Sequence, residues 1–243
     1  MKIIISPAKQ MVYEDVLEYR DMPVYLDKTE QLMKYLKGLS YDELKRLLAC
    51  NDKIAELNYD RYSAMDLKKG LTPAVMSYDG IQYKYMQPQV LDEGGIEYLD
   101  RHLRILSGFY GALRPFDGVV MYRLEMQARL KTDFCKNLYD FWGADIYNAV
   151  RDDVILNLAS EEYSKAVRRF AEPGIRFVDC VFGSVENGRI KEKGVYVKMA
   201  RGEMVRLMAE NRIEDIEDIK KLDVLNFRYN AELSDKDRFV FIA

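Results

Sequence analysis

The run DVILNLASEEY, Asp153 to Tyr163, carries the reading of the fold. Its first half is an apolar stretch of strand length, and Asn157, Ser160 and Glu162 then mark a change from strand to helix, with Ser160 as the cap candidate. A strand that feeds directly into a helix is the repeating unit of α/β architecture. A similar junction closes the N-terminal run MKIIISPAK. There Lys2–Ile5 reads as a short buried strand, Ser6-Pro7 as a turn, and Lys9 as a cation at the strand's carboxyl end, where α/β proteins commonly hold functional groups.

Further along, Ile175–Val185, Asn187-Gly188 and Val195–Met199 read as a hairpin, because Asn-Gly favours a tight two-residue turn. From Ala200 the run RGEMVRLMAENR is amphipathic at helical spacing, so Lys198, Arg201 and Arg206 surround another strand-to-helix junction. Phe227–Asn230 and Arg238–Ile242 read as a closing hairpin. Ala74–Tyr78 reads as a strand, Ile96–Ser107 as an amphipathic helix, Val119–Met126 as extended, and Leu138–Val150 as a helix containing Trp142. Gln10–Lys28 reads as irregular. With no repeat, low-complexity segment or linker, residues 1–243 are expected to form a single α/β domain. Its central mixed sheet, flanked by helices, should unite the strands Lys2–Ile5, Val154–Leu158, Phe177–Val185 and Val195–Met199.

Near the N-terminus, Leu32, Met33 and Leu36 define a helix starting at Thr29 and ending at Lys37-Gly38. Ser40 and Glu43 form an S-x-x-E capping box for a second helix bearing Leu44, Leu47 and Leu48. Asn51 opens a third, with Ile54 and Leu57. The connection LKGLS, Leu36 to Ser40, is therefore expected to be helix-hairpin-helix-like, an element whose backbone N–H groups meet phosphate oxygens. A plain antiparallel helix pair gives the same sequence signal.

Composition narrows the function classes. The chain has 243 residues, 49% of them hydrophobic and 32% charged, the balance of a soluble globular protein. No apolar run approaches the length of a membrane span, and the first ten residues lack a signal-peptide cleavage site. The three cysteines, Cys50, Cys135 and Cys180, are far apart and form neither a disulfide framework nor a zinc pattern, so a reducing cytoplasm is the expected setting. His102 is the sole histidine, which removes Ser-His-Asp triads and multi-histidine metal sites. It lies beside Arg101 and Arg104 at helical spacing and reads as structural. Any proton carrier must then be Lys, Tyr, Glu or Asp. No cofactor and no metal are implied. The net charge of −3 excludes a uniformly basic nucleic-acid binder but leaves room for a local basic cleft.

The densest chemistry lies in LSGFYGALRPFDGVVMYRLEM, Leu106 to Met126, followed by NLYDFWG, Asn137 to Gly143. Small, aromatic and cationic residues alternate there, as a pocket for an anionic or sugar-phosphate ligand requires. The competing reading is a packed junction whose arginines make internal ion pairs. Segments ending in polar groups, Ser6/Lys9, Arg114/Arg123/Glu125, Asn157/Ser160/Glu162/Tyr163 and Lys198/Arg201, converge if their strands share one sheet.

The segments ISPAK, LSGFYGALRP, YRLEM, LYDFWG, NLASEEY and KMARGEMVR…NR, in that order, closely resemble the YaaA family of bacterial peroxide-stress proteins, and the resemblance spans almost the whole chain. It implies a cytoplasmic single-domain α/β protein of the hydrogen peroxide response. Such a protein would bind duplex DNA through a helix-hairpin-helix and a positively charged cleft, and limit damage linked to intracellular iron. The family's hairpin maps onto Leu36–Ser40, which lacks its fuller G-x-G form. The expected DNA- or phosphate-binding residues are Lys37, Gly38, Ser40 and Lys45 in the hairpin. Those of a cleft edged by Tyr110 or Trp142 are Lys9, Arg114, Arg123, Lys198 and Arg201. An enzyme acting on a nucleotide or damaged base is the alternative, with Lys9, Glu125 and Tyr163 as catalytic candidates. An iron-handling role has only scattered carboxylates behind it. Double-stranded DNA, or a nucleotide or phosphate ligand, is the expected partner; a membrane is not.

Overall fold

The computed structural model describes residues 1–14 and 16–243. Asp15, inside the segment expected to be irregular, lies outside the described residues. A central mixed sheet runs in the order Arg228–Tyr229, Arg238–Ile242, Arg176–Glu186, Val154–Leu158, Lys2–Ile5, Leu103–Ser107, Gly111–Leu113, with Arg189–Lys191 paired to Arg176–Glu186. The five strands from Arg238–Ile242 to Leu103–Ser107 are parallel, and the strands at the two ends of this order are antiparallel to their neighbours. Helices flank this sheet, giving the expected single-domain α/β fold.

Ile3, Ile4 and Ile5 are all fully buried, so the central strand is covered on both faces, as a continuous apolar run in a parallel sheet demands. Ile3 lies opposite Leu156 on one side and Leu103 on the other. The chain leaves Ile5 toward the strand on one side, Leu103–Ser107, and leaves Leu158 toward the strand on the other, Arg176–Glu186. Two neighbouring parallel strands whose onward connections diverge leave a crevice beyond their carboxyl ends.

Three of the four strands expected in the sheet are there; the fourth is not. Val195–Met199 belongs to the long helix Gly194–Glu210, where Val197 N–H already donates to Lys193 O at 3.0 Å. Valines at 195 and 197 favour a strand locally. The burial of Val197, Ala200, Met204, Val205 and Met208 follows a helical stripe instead, and that packing prevails. The Asn187-Gly188 turn does form, with φ of 52° and 73°, but its return strand is the adjacent Arg189–Lys191.

Other boundaries shift for similar reasons. Ile96–Ser107 divides into a helix ending at His102 and the strand Leu103–Ser107, whose Ile105 pairs with both Ile5 and Leu113. Ala74–Ser77 is one helical turn, because Ala74 and Val75 donate to Asp117 O and Pro115 O, each at 2.9 Å. Leu138–Trp142 and Asp145–Val150 are two helices, separated where Gly143 takes φ of 52°. His102 is buried, with Nδ1 2.9 Å from Met1 O and Nε2 3.2 Å from Glu214, a structural placement.

The N-terminal helices are Leu26–Lys37, Tyr41–Leu48 and Asp52–Ala64. The Ser40–Glu43 capping box is formed, and Asn51 Oδ1 accepts from Ile54 N at 3.0 Å. In the Leu36–Ser40 connection, Gly38 N–H donates to Lys34 O and Tyr35 O, Leu39 N–H to Leu36 O, and Ser40 N–H to Glu43 Oε2. These N–H groups thus end one helix and start the next. Among the described residues no helix is long and apolar enough to cross a membrane.

Candidate anion-binding cleft

A cavity of about 650 Å³ opens at the crevice beyond Ile5 and Leu158. Its floor joins the two strand ends directly. Ser160 N–H donates to Ser6 Oγ at 2.8 Å, and Ser6 Oγ donates to Ser160 Oγ at 3.1 Å. Ser160 stands at the N-cap of the helix Glu161–Arg168, yet its side chain makes no capping bond. Tyr83 OH donates to Ser6 O at 2.9 Å and fixes the turn from the opposite wall.

Two close approaches place the charged side chains. A Cβ on Gly108 would collide with Leu124 O, so only glycine lets the YRLEM segment lie against the end of the Leu103–Ser107 strand. There Tyr62 OH donates to Arg123 O at 2.8 Å, and Arg123 donates to Glu125 Oε1 at 2.9 Å. Lys9 Nζ stands 3.3 Å from the same carboxylate oxygen. On the other side Gly202 plays the equivalent part: a Cβ there would collide with the Gln82 carbonyl, so glycine lets the helix Gly194–Glu210 lie on the short helix Ile81–Met86. That contact sets Arg201 and Lys198 beside Gln82 on the cavity wall.

The hydrogen-bonding balance of this wall is uneven. Among the described residues, four buried side-chain polar atoms lack a protein partner: Asn58 Oδ1, Gln82 Nε2, Arg123 Nε and Arg201 Nε. The last three are nitrogens of residues lining this one cavity. Burial pulls the Arg201 guanidinium below its usual pKa. Burial likewise holds the phenols of Tyr83 and Tyr163 well above their usual range and pushes Tyr122 up to about 12. These tyrosines are therefore neutral hydrogen-bonding groups at physiological pH. Tyr122 OH also lies 2.7 Å from Tyr78 OH and 2.6 Å from Ser107 Oγ.

Two smaller cavities adjoin the first. One of about 430 Å³ shares Lys9, Arg123, Glu125 and Glu162 and reaches Arg46, Ala49 and Arg129. Another of about 450 Å³ shares Ser160, Lys198 and Arg201 and reaches Arg168 and Arg238. Together they make a trough across the carboxyl edge of the sheet.

Of the residues expected at a cleft, Lys9, Arg123, Lys198 and Arg201 line the main cavity together with Glu125 and Tyr163. Arg114 does not; it is bound to Asp21 and Asp117, each at 3.0 Å. Tyr110 and Trp142 are buried in the scaffold behind the wall. Val120 N–H donates to Tyr110 OH at 3.1 Å, and Trp142 Nε1 donates to Gly108 O at 3.0 Å. The aromatic lining comes instead from Tyr83, Tyr122 and Tyr163. Lys37, Gly38, Ser40 and Lys45 also lie outside the cavity linings. Lys37 Nζ donates to Met65 O at 2.7 Å and Lys45 Nζ to Asp52 at 2.6 Å. The part of the helical hairpin that borders the trough is the end of the second helix, Arg46–Ala49. Gln82 is the lining residue that the sequence does not signal, because an uncharged side chain in a Tyr-rich stretch gives no sign of a site. Among the described residues, no three His, Cys, Asp or Glu side chains gather as metal ligands.

Residues 1–233 match the family described as peroxide stress protein YaaA. A UPF0246 protein of Desulfitobacterium hafniense is 59% identical over 100% of this chain and 98% of its own length. UPF0246 proteins of Lachnoclostridium phytofermentans and Pediococcus pentosaceus are each 51% identical over 100% of this chain, covering 96% and 98% of their own lengths.

Proposed function

The chain belongs to the YaaA family of peroxide stress proteins, and from that premise we propose that it binds duplex DNA along the cationic trough in the cytoplasm, limiting iron-linked oxidative damage there. The observation that carries this reading is the meeting of Lys9, Arg123, Lys198 and Arg201 on one cavity although the chain is acidic overall. These four cations outnumber the three carboxylates of the same lining, Asp79, Glu125 and Glu162, and phosphate binding responds to the local field rather than to the net charge of the chain. The trough continues past Arg46 and Arg129 at one end and Arg168 and Arg238 at the other, which suits an extended polyanion. Backbone contacts of this type position a duplex without reading its sequence. Fluorescence anisotropy with several unrelated duplexes tests the reading. Similar affinities that fall with salt support it, and no binding at low salt rejects it.

A specific observation also favours an enzyme acting on a nucleotide or damaged base. The main cavity is concave and within the size range of small-ligand pockets, and it holds the Glu125 carboxylate and the Tyr163 phenol. Incubation of the full chain with nucleotides and damaged-base oligonucleotides, followed by product analysis, tests that reading. Turnover lost in Glu125→Gln supports it, and no product from any of them counts against it.

A further inference from the structure

We propose that Arg201, Gln82 and Lys198 form a phosphate-binding subsite in the wall of the main cavity, taking the phosphate group of a nucleotide or of a nucleic-acid backbone. The proposal deepens the reading above, since it rests on the cavity accepting phosphate-bearing ligands, and it names where the anion is held.

The argument begins with Arg201. Among the described residues it makes no ion pair, although its guanidinium is largely withdrawn from solvent and its Nε has no hydrogen-bond partner. A desolvated charge without a counter-ion is strongly unfavourable, so native structures rarely keep one without a use. Two acids act on it without forming an ion pair: Glu192, the stronger, which lines the adjoining cavity with it, and Asp179, whose Oδ1 already accepts from Arg168 at 2.6 Å and from Asn157 at 2.7 Å. Arg123, on the facing wall, differs because Glu125 meets its charge. The unmet positive charge therefore lies on the Arg201 side.

Two more donors accompany it. The Gln82 amide nitrogen is buried and has no partner, and the Gly202 contact holds its backbone against the helix that carries Arg201. Lys198 precedes Arg201 by three residues in that helix, which puts both side chains on one face. Both residues line the cavity with Gln82. A guanidinium, an amide and an ammonium from two elements supply more donors than the two oxygens of a carboxylate can use. A phosphate, with three or more oxygens, matches them.

Isothermal titration calorimetry of the full chain tests this with inorganic phosphate, a nucleoside 5′-monophosphate and the matching nucleoside. The monophosphate is expected to bind about tenfold or more tightly than the nucleoside. Inorganic phosphate binding as well as the monophosphate identifies free phosphate as sufficient; monophosphate binding alone identifies a nucleotide. Arg201→Lys keeps the charge but loses the planar donors and should weaken monophosphate binding about tenfold. Lys198 is exposed, so Lys198→Gln is a second test that spares the core, and it should weaken binding several-fold. Lys236→Gln, on an exposed loop beside Asp237, should change nothing. A nucleoside bound as tightly as its monophosphate, or unchanged monophosphate binding in folded Arg201→Lys and Lys198→Gln, overturns the subsite. Duplex binding without phosphate or monophosphate binding overturns the subsite and leaves the DNA reading standing. Monophosphate binding without duplex binding does the reverse.

Discussion

Gly202 stands against the Gln82 carbonyl with no room for a side chain between them. The obstacle is backbone, which cannot swing aside as a flexible side-chain tip would. This single contact fixes how the helix Gly194–Glu210 lies on Ile81–Met86, and so where Arg201 and Lys198 enter the cavity.

Gly202→Ala should therefore destabilise the chain by about 1–3 kcal/mol, the usual cost of forcing a methyl into a packed interface. Urea denaturation checks it. The same variant should weaken ligand binding in the cavity more than a remote substitution of equal thermodynamic cost. A neutral effect on stability would mean that the two helices can separate freely, and the wall would lose its rigid basis.

Glu125 accepts from Arg123 and neighbours Lys9, so it offsets positive charge in the trough. Glu125→Gln should tighten duplex binding by about two- to fivefold, the scale of a partly exposed charge interaction, and steepen its salt dependence. Anisotropy at two ionic strengths measures both. Weaker binding would assign Glu125 a positioning role toward the arginine that outweighs its charge.

Asp117 is buried, with Arg114 N–H at 2.8 Å and Arg114 Nε at 3.0 Å. Burial outweighs these bonds and raises its pKa to about 6. The folded state thus holds this proton more tightly than the unfolded chain does. The stability it contributes is fully present below the ordinary aspartate pKa and is lost as pH rises through about 6. Asp117→Asn should flatten the fall in stability across that window, as read by denaturation at a series of pH values. An unchanged pH profile would show that Asp117 titrates normally.

Legibility in the sequence followed the range of the interactions. Lys2–Ile5 and Val154–Leu158 were readable because a doubly covered strand must be apolar throughout, and the Ser40–Glu43 capping box because its partners are three residues apart. The cations Lys9, Arg123, Lys198 and Arg201 were recognisable from their chemistry. Their meeting depended on the strand order, which no local pattern encodes. Arg114 looked equivalent to Arg123 yet is consumed by Asp21 and Asp117. Val195–Met199 misled because two valines outweigh a helical stripe that becomes visible only with the residues after it. Gln82 acquires its place entirely from the contact with Gly202, more than a hundred residues away.

The expected hairpin residues offer a direct comparison with the cleft. Lys37 and Lys45 are tied to Met65 O and Asp52, and the N–H groups of the Leu36–Ser40 connection are internally bonded. Lys37→Glu with Lys45→Glu should lower duplex affinity less than Lys9→Gln with Lys198→Gln does, although the first pair changes twice the charge. Anisotropy on folded variants, verified by circular dichroism, measures the difference, and the opposite ranking would move the main DNA contact to the helical hairpin.

The central claim, that the trough takes phosphate, is tested most directly by the salt slope of duplex binding in wild type and in the Lys9→Gln, Lys198→Gln double variant. Both lysines are exposed, so the core is spared. Each phosphate contact adds about 0.9 to the slope of log affinity against log salt, so the double variant should be shallower by about 2 between about 50 and about 200 mM salt. A double variant that binds with the wild-type slope and affinity would contradict the claim.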